Sequence, residues 1–301
     1  MSHTQAQKEK NKAAGTSVLA AVGLTTFKLI VGILTNSLGI LAEAAHSALD
    51  LVAALVTWFA VRISGKPADH DHQFGHGKVE NLSALFETLL LLLTSAWIIY
   101  EAIQRMFYKS EEVLVTGWSF IVMATSIIVD INRSRMLYKA ARKHNSQALE
   151  ADALHFSTDI WSSSVVIVGL IGVSVSRFVP GLDWMIKADA IAAMVVAVIV
   201  IYVSGELGWR TIKGLLDTAP EGKRDQIIKL VEALDGVENC HAVRIRPSGA
   251  NWFVDLHITM DGESTLNEAH ATTETIENEI HKLLPGSDAT VHVEPLEMAN
   301  T

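Results

Sequence analysis

Six apolar stretches, at about residues 14–35, 38–63, 80–104, 115–131, 149–175 and 185–205, decide what this chain can become. Each is close to the roughly 20 residues a helix needs to cross a bilayer. A spanning segment has no water to satisfy its backbone, so it must do so internally, as a helix does. Half of the 301 residues are apolar, more than one soluble core needs. The sequence therefore predicts a multi-pass helical protein in a lipid bilayer. Nothing comparable follows Trp209, and the remaining residues mix polar and apolar in the ordinary globular way. Three parts are expected: an N-terminal segment over 1–13, a six-helix all-α transmembrane domain over 14–208, and a small soluble domain over 209–301.

Lysine and arginine orient the spans, because cytoplasmic loops hold the excess. The N-terminus carries Lys8, Lys10 and Lys12, the second loop Arg62, Lys66 and Lys78, and the fourth Arg133, Arg135, Lys139, Arg142 and Lys143. The other three loops hold only Arg105, Lys109, Arg177 and Lys187. Both termini, the second and fourth loops and the soluble domain are thus expected on the cytoplasmic side. The start is polar and the first apolar run long enough to span, so no cleavable signal is expected. No internal repeat stands out.

The second and fifth spans each carry a His and an Asp four residues apart: His46 with Asp50, and His155 with Asp159. Residues i and i+4 share a helix face, so two such helices packed together offer two imidazoles and two carboxylates around one point, a four-coordinate site for a divalent metal. Two bare carboxylates in a low-dielectric bundle need counter-charge. A divalent ion brings the total to zero, and when it leaves, protons are the cheapest replacement. Two His with two Asp suit zinc or cobalt better than magnesium or calcium, which prefer oxygen shells. The competing reading is His–Asp hydrogen bonds that merely join helices, which one pair would fit better than two at identical spacing.

The loop after the second span holds Asp69, His72 and His76 at plausible ligand spacing, with His70 and Asp71 as competitors; a polar loop that binds nothing is the alternative. The soluble domain parses as helix from Pro220 to about Leu234, strands 237–246 and 251–260 about a Pro247–Ala250 hairpin, helix 266–284 and strand 289–295, an αββαβ order. His257 lies off the apolar face of the second strand, where Trp252, Val254, Leu256 and Ile258 alternate with it. His292 and Glu294 share a face of the last strand, and His241 and His270 sit on other elements. Singly, such histidines are ordinary surface residues; as a set they suggest a metal site. His281 reads as helix surface. The lone cysteine, Cys240, rules out an intrachain disulfide and reads as a small buried thiol. From Arg210 onward eight Lys/Arg face sixteen Asp/Glu, which favours cations and argues against nucleic acid. Lys28, Glu43, Glu87 and Asp130 are further charges in apolar stretches. Glu43, three residues before His46, is placed beside the site or on a proton path, and Lys28 has the reach to pair with an acid on a neighbouring helix.

These motifs resemble the cation diffusion facilitators, specifically bacterial zinc-type metal/proton antiporters. The likeness runs from about Gly15 to Pro295 through Glu43–Asp50, Pro67-Ala68-Asp69 with Gly75–Glu80, Glu150–Asp159 and Leu215-Leu216-Asp217. It implies a homodimer in the bacterial cytoplasmic (inner) membrane, with a metallochaperone-like α+β soluble domain. It implies that His46, Asp50, His155 and Asp159 form the transport site and Asp69, His72 and His76 a loop site. In the soluble domain His241, His257 and Glu294 would hold one metal, and His257, His270 and His292 a second. Lys78 and Asp217 match an ion pair between membrane and soluble parts, and Leu154 a hydrophobic gate.

The expected function is export of divalent cations, Zn2+ foremost with Co2+, Cd2+, Fe2+ or Mn2+ as candidates, in exchange for H+. A membrane metalloenzyme would need an open metal position and a general base, and no His-Glu-x-x-His signature occurs. A transport-inactive metal-sensing or assembly protein of the same fold would keep every motif.

Overall fold

In the computed structural model the described residues are 3–107, 117–176 and 184–296. Lys109 and Arg177, which bear on the orientation argument, lie outside them, as do residues 115–116 of the expected fourth span. Six long helices run in order: α1 His3–Leu34, α2 Leu38–Ser64, α3 Lys78–Phe107, α4 Gly117–His144, α5 Gln147–Ser176 and α6 Trp184–Leu215. Each expected apolar run overlaps one of them. Four contain a stretch that, by length and composition among the described residues, can cross a membrane: Gln5–Leu34, Ile40–Ser64, Lys78–Gln104 and Ile191–Leu215. α4 and α5 are as long, but carry Asp130 and Arg133 in one and Asp152 and Asp159 in the other. They pack on each other, α4 also on α1 and α5 also on α3 and α6, which places charged faces against protein.

The helices outrun the apolar stretches at their polar ends. α1 starts at His3, so residues 3–13 are helical rather than a separate tail; α4 runs to His144, taking in the basic stretch expected as a loop; α6 passes residue 208 and ends at Leu215. Partnered charges account for the first two. Lys10 Nζ lies 2.6 Å from Glu80 Oε1, both buried, and Glu80 also accepts from Ser64 Oγ at 2.8 Å and from Ser146. Glu9 takes Lys143 at 2.5 Å and His144 at 2.9 Å. One end of the bundle is thus tied across α1, α2, α3 and α5.

Tight turns join α1 to α2 and α4 to α5, each at an asparagine with φ near +49°, Asn36 and Asn145, a left-handed conformation asparagine tolerates. The next residue caps the following helix: Ser37 Oγ accepts from the Ile40 amide and Ser146 Oγ from the Leu149 amide. Aligning the hairpins on these turns exposes a repeat that inspection of the sequence misses. Asn36-Ser37, Glu43-Ala44, His46 and Asp50 recur at identical spacing as Asn145-Ser146, Asp152-Ala153, His155 and Asp159. The residues between differ, which hides it. Successive helices alternate in direction, so the two copies are inverted, the arrangement that puts transporter sites at mid-depth. His46 and His155 each follow their cap serine by nine residues. At 1.5 Å per residue that is about 14 Å, so from opposite ends both pairs reach the middle of a ~30 Å apolar layer.

The C-terminal domain comprises α7 Lys223–Glu232, β1 Asn239–Ser248, β2 Asn251–Met260, α8 Leu266–Leu283 and β3 Ser287–Pro295, the expected αββαβ order. α7 starts three residues after Pro220 because Gly222, at φ +73°, turns the chain into it. β1 pairs antiparallel and β3 parallel with the central β2; α8 supplies the crossover that parallel pairing needs, and its first turn carries a Thr265/Glu268 capping box. Ile227 and Val231 of α7 and Ile276 and Ile280 of α8 pack on Val254, Leu256 and Ile258. One sheet face is therefore core, and the other carries His257. A bulge between His241 and Arg244, with Ala242 at φ +51°, lets both Cys240 and Val243 face the core. It leaves His241 on the open face.

Candidate metal centres

The two His–Asp helices bring their side chains together as their spacing requires. His155 Nε2 lies 3.2 Å from Asp50 Oδ1 and 3.7 Å from Asp159 Oδ2; His46 Nε2 lies 3.9 Å from Asp50 Oδ1 and 4.0 Å from Asp159 Oδ1. A tetrahedral ion with ~2 Å bonds wants its ligand atoms roughly 3.3 Å apart. His46, Asp50 and Asp159 have ligand atoms within 4.8 Å of one another, and His155 joins them through its approaches to Asp50 and Asp159. His155 and Asp50 are buried, whereas the His46 side chain is about half exposed. A cavity of roughly 90 Å³ opens from His46, Asp50 and Asp159 past Lys28, Glu43 and Asp130, toward the end where α2 begins.

On the opposite side of His155 stands a residue whose role the sequence left open. Glu87 of α3 is fully buried, with Oε2 3.4 Å from His155 Nδ1 and Oε1 accepting from Thr57 at 3.2 Å. A histidine that ligates through Nε2 carries its proton on Nδ1, and a carboxylate there fixes tautomer and ring orientation. The other apolar-stretch charges also find partners. Lys28 pairs with Glu43 at 3.2 Å and donates to Ser47 at 2.8 Å, while Asp130 pairs with Arg133 at 3.3 Å. Leu154 packs on a small buried cluster of Ala84, Ala151 and Leu207.

In the loop between α2 and α3, Asp69 sits between His72 Nδ1 at 3.4 Å and His76 Nε2 at 3.3 Å. The competitors separate: His70 and Asp71 pair with each other at 3.1 Å, both exposed. Asp69 Oδ1 accepts the backbone amides of His72 at 2.7 Å and Asp71 at 3.1 Å. The His72 amide, joined by the two imidazoles, holds its carboxyl below the usual range, as suits a ligand. The loop docks on the C-terminal domain. Arg246 lies 3.8 Å over the Phe74 ring and 5.0 Å over Phe253, and the two rings meet edge-on at 5.3 Å. Gly77 and Gly249 touch backbone to backbone, where a Cβ on either would overlap the other strand. Lys78 Nζ and Asp217 Oδ1 form the expected ion pair at 2.8 Å.

Strand register builds the third cluster. His257 is paired with His241 on one side and His292 on the other, so three imidazoles lie in a row across the open face. Glu294, two residues beyond His292, reaches back to His257 Nδ1 at 2.8 Å and His241 Nε2 at 3.2 Å, with His292 Nε2 at 3.8 Å. The bond from His257, with the charge of the other imidazoles, holds the Glu294 carboxyl below its ordinary value. His241, His257 and Glu294 have ligand atoms within 4.8 Å of one another. His270 is not brought to them within one chain: it sits on α8, exposed, 3.6 Å from Glu274. Since α8 covers the core face, its residues are screened from the histidine row by the sheet. Cys240 is a core residue whose thiol burial pushes up to about 11, and His281 faces the Ser287 carbonyl at 3.3 Å.

The cation efflux transmembrane domain profile matches residues 16–216, and that of the cation efflux protein cytoplasmic domain matches 219–296. Cation-efflux pump FieF of Klebsiella pneumoniae is 30% identical over 288 residues, covering 95% of this chain and 92% of that protein. FieF of Salmonella arizonae is 31% identical with the same coverage. Among solved structures, the metal-bound C-terminal domain of the CzcD transporter from Thermotoga maritima is 36% identical, covering 25% of this chain and 90% of its own, with a TM-score of 0.24. The chain belongs to the cation efflux, or cation diffusion facilitator, family: it is a multi-pass membrane transporter of cations and not an enzyme.

Proposed function

We propose that the protein exports Zn2+ from the cytoplasm in exchange for H+, as a homodimer in the bacterial inner membrane with both termini inside. The transmembrane part, about 14–208 with its helical extensions, carries the ion. The soluble part that follows binds metal and dimerises. The convergence of His46, Asp50, His155 and Asp159 from two helices, with His–Asp separations of 3.2–4.0 Å, carries this reading. The donor set suits zinc. Two carboxylates balance one divalent ion, so departure of Zn2+ leaves a charge that protons replace.

Alternating access then consists of moving the opening from one end of the bundle to the other. The cavity beside His46 is the outward exit. Asp69, His72 and His76 capture or retain metal at the inner mouth. Metal on His241, His257 and Glu294, and a second ion using His257, His270 and His292 with a partner subunit in reach, draws the two acidic domains together and biases the dimer.

Purified protein in vesicles, with zinc entry and internal pH followed together, tests this. Zinc flux with opposite proton movement, lost in Asp50→Ala and Asp159→Ala, is the expected result. Zinc binding without flux in a folded, dimeric protein would move the assignment to a metal-sensing or assembly role.

A further inference from the structure

Lys28 shares the cavity that holds the transport quartet. Among the described residues lining it, Lys28 is the single lysine or arginine, facing His46, Asp50 and Asp159 together with the acids Glu43 and Asp130. Its side chain is 5% exposed, against 47% for Glu43, so the pair is anchored at the lysine and open at the acid. Nζ donates to Ser47 Oγ at 2.8 Å and to Glu43 Oε2 at 3.2 Å. Ser47 follows His46 and stands one turn before Asp50, so this bond ties the ammonium to the segment that carries both ligands from α2, in the cavity they line together. Asp130 is occupied by Arg133 at 3.3 Å.

A lysine buried next to a cation site is a costly placement. Like charge within a few ångströms of a divalent ion, at an effective dielectric of about 20, changes binding by an order of magnitude or more. Glu43 cancels that charge while it holds Nζ. When the hold loosens, the carboxylates left for Lys28 within the cavity, with Asp130 on Arg133, are Asp50 and Asp159, both ligands of the metal. At the end of the second hairpin a comparable trio forms, with its hydroxyl supplied by α1. Asp152, the counterpart of Glu43, takes Ser17 Oγ at 3.4 Å, and Arg133 reaches Ser17 at 3.2 and 3.3 Å. There Arg133 is stacked 3.4 Å over Phe156 and all three charged or hydroxyl groups are buried. Lys28 and Glu43 line the cavity, whereas Arg133 and Asp152 are not among the described residues that line it.

The geometry points to Lys28 as a tethered counter-ion that lowers the affinity of the transport site and promotes release of the metal through this cavity, with Glu43 as the latch that restrains it. This rests on the quartet being the transport site. Opposite effects of the two partners distinguish it from a structural ion pair, whose loss from either side acts in one direction.

The test is a calorimetric Zn2+ titration of the purified full-length protein, taking as the transport-site component the part that Asp50→Ala removes, alongside zinc flux into vesicles. Lys28→Gln is expected to tighten that component about tenfold and to lower maximal flux, Glu43→Gln to weaken it about tenfold, and Lys28→Arg to stay within about threefold of wild type. The double variant is expected to follow Lys28→Gln. Should Lys28→Gln not yield a monodisperse protein, Glu43→Gln against Lys28→Arg decides. Changes of one sign in both single variants, or an unchanged Glu43→Gln, overturn the role of Lys28. Binding and flux that Asp50→Ala leaves untouched overturn the transport-site reading itself.

Discussion

Glu87 is fully buried, and its Oε2 lies 3.4 Å from His155 Nδ1. Removing it leaves the imidazole free to turn or to carry its proton on the wrong nitrogen. Glu87→Leu is therefore expected to weaken quartet Zn2+ binding about 10- to 100-fold, and Glu87→Gln much less, because an amide oxygen still accepts from Nδ1; zinc titrations against the Asp50→Ala background read the difference. At the surface, the depressed carboxyl of Glu294 has a pH signature. A group whose folded pKa is lowered contributes stability that is full above its unfolded value and lost as pH falls through the folded one. The thermal-melt advantage of wild type over Glu294→Gln should thus be present at neutral pH and disappear as pH drops below 4.5, the ordinary value for this carboxyl. That His46 with Asp50 and His155 with Asp159 share helix faces was legible because i, i+4 spacing fixes a face wherever the helix lies. Glu87 was visible only as a charge in an apolar run, since its distance to His155 depends on how α3 packs against α5. The histidine row needed the register of three strands, which alternation alone does not set.

Between elements, the loop from α2 to α3 is held by one guanidinium stacked on two rings. Aromatic and cation–π contacts of this kind are worth about 1–2 kcal/mol together. Phe74→Ala should accordingly raise the rate of proteolytic cleavage between Lys66 and Gly77 several-fold, while leaving the C-terminal domain's own melting unaltered. Gly249 meets the Gly77 carbonyl at φ +60°, so a Cβ is strained twice over. Gly249→Ala should destabilise this contact by about 1–3 kcal/mol, read as loss of cross-linking between cysteines introduced on the loop and the β1–β2 hairpin. The αββαβ order and both hairpin strands could be placed from alternation and turn residues. The bulge at Ala242 could not, because it shows in the sequence only as Cys240 and Val243 three apart, against the period of two. That Phe74 meets Phe253 was likewise beyond reach, as nothing local links residues so distant in the chain.

For the molecule as a whole, the buried Lys10–Glu80 pair joins the start of α1 to α3, and Glu80 collects hydroxyls from the end of α2 and the start of α5. Breaking one side of a buried pair leaves an uncompensated charge and costs about 3–5 kcal/mol. Lys10→Met should lower the melting temperature in detergent markedly, and Lys10→Met with Glu80→Leu should recover much of the loss. Composition disclosed the spans, but the extra turns of α1 and α4 are polar and became helical through partners on other helices. The inverted hairpins have one more consequence. Lys8, Lys10, Lys12 and Arg62 stand at the open ends of the first, whereas Arg142 and Lys143 stand at the turn of the second. Basic residues orient a hairpin during insertion, so two near-copies can thread in opposite senses only if they differ in where these lie. The vectorial character of the machine is thereby written at the rims of the bundle, in side chains that never meet the cargo.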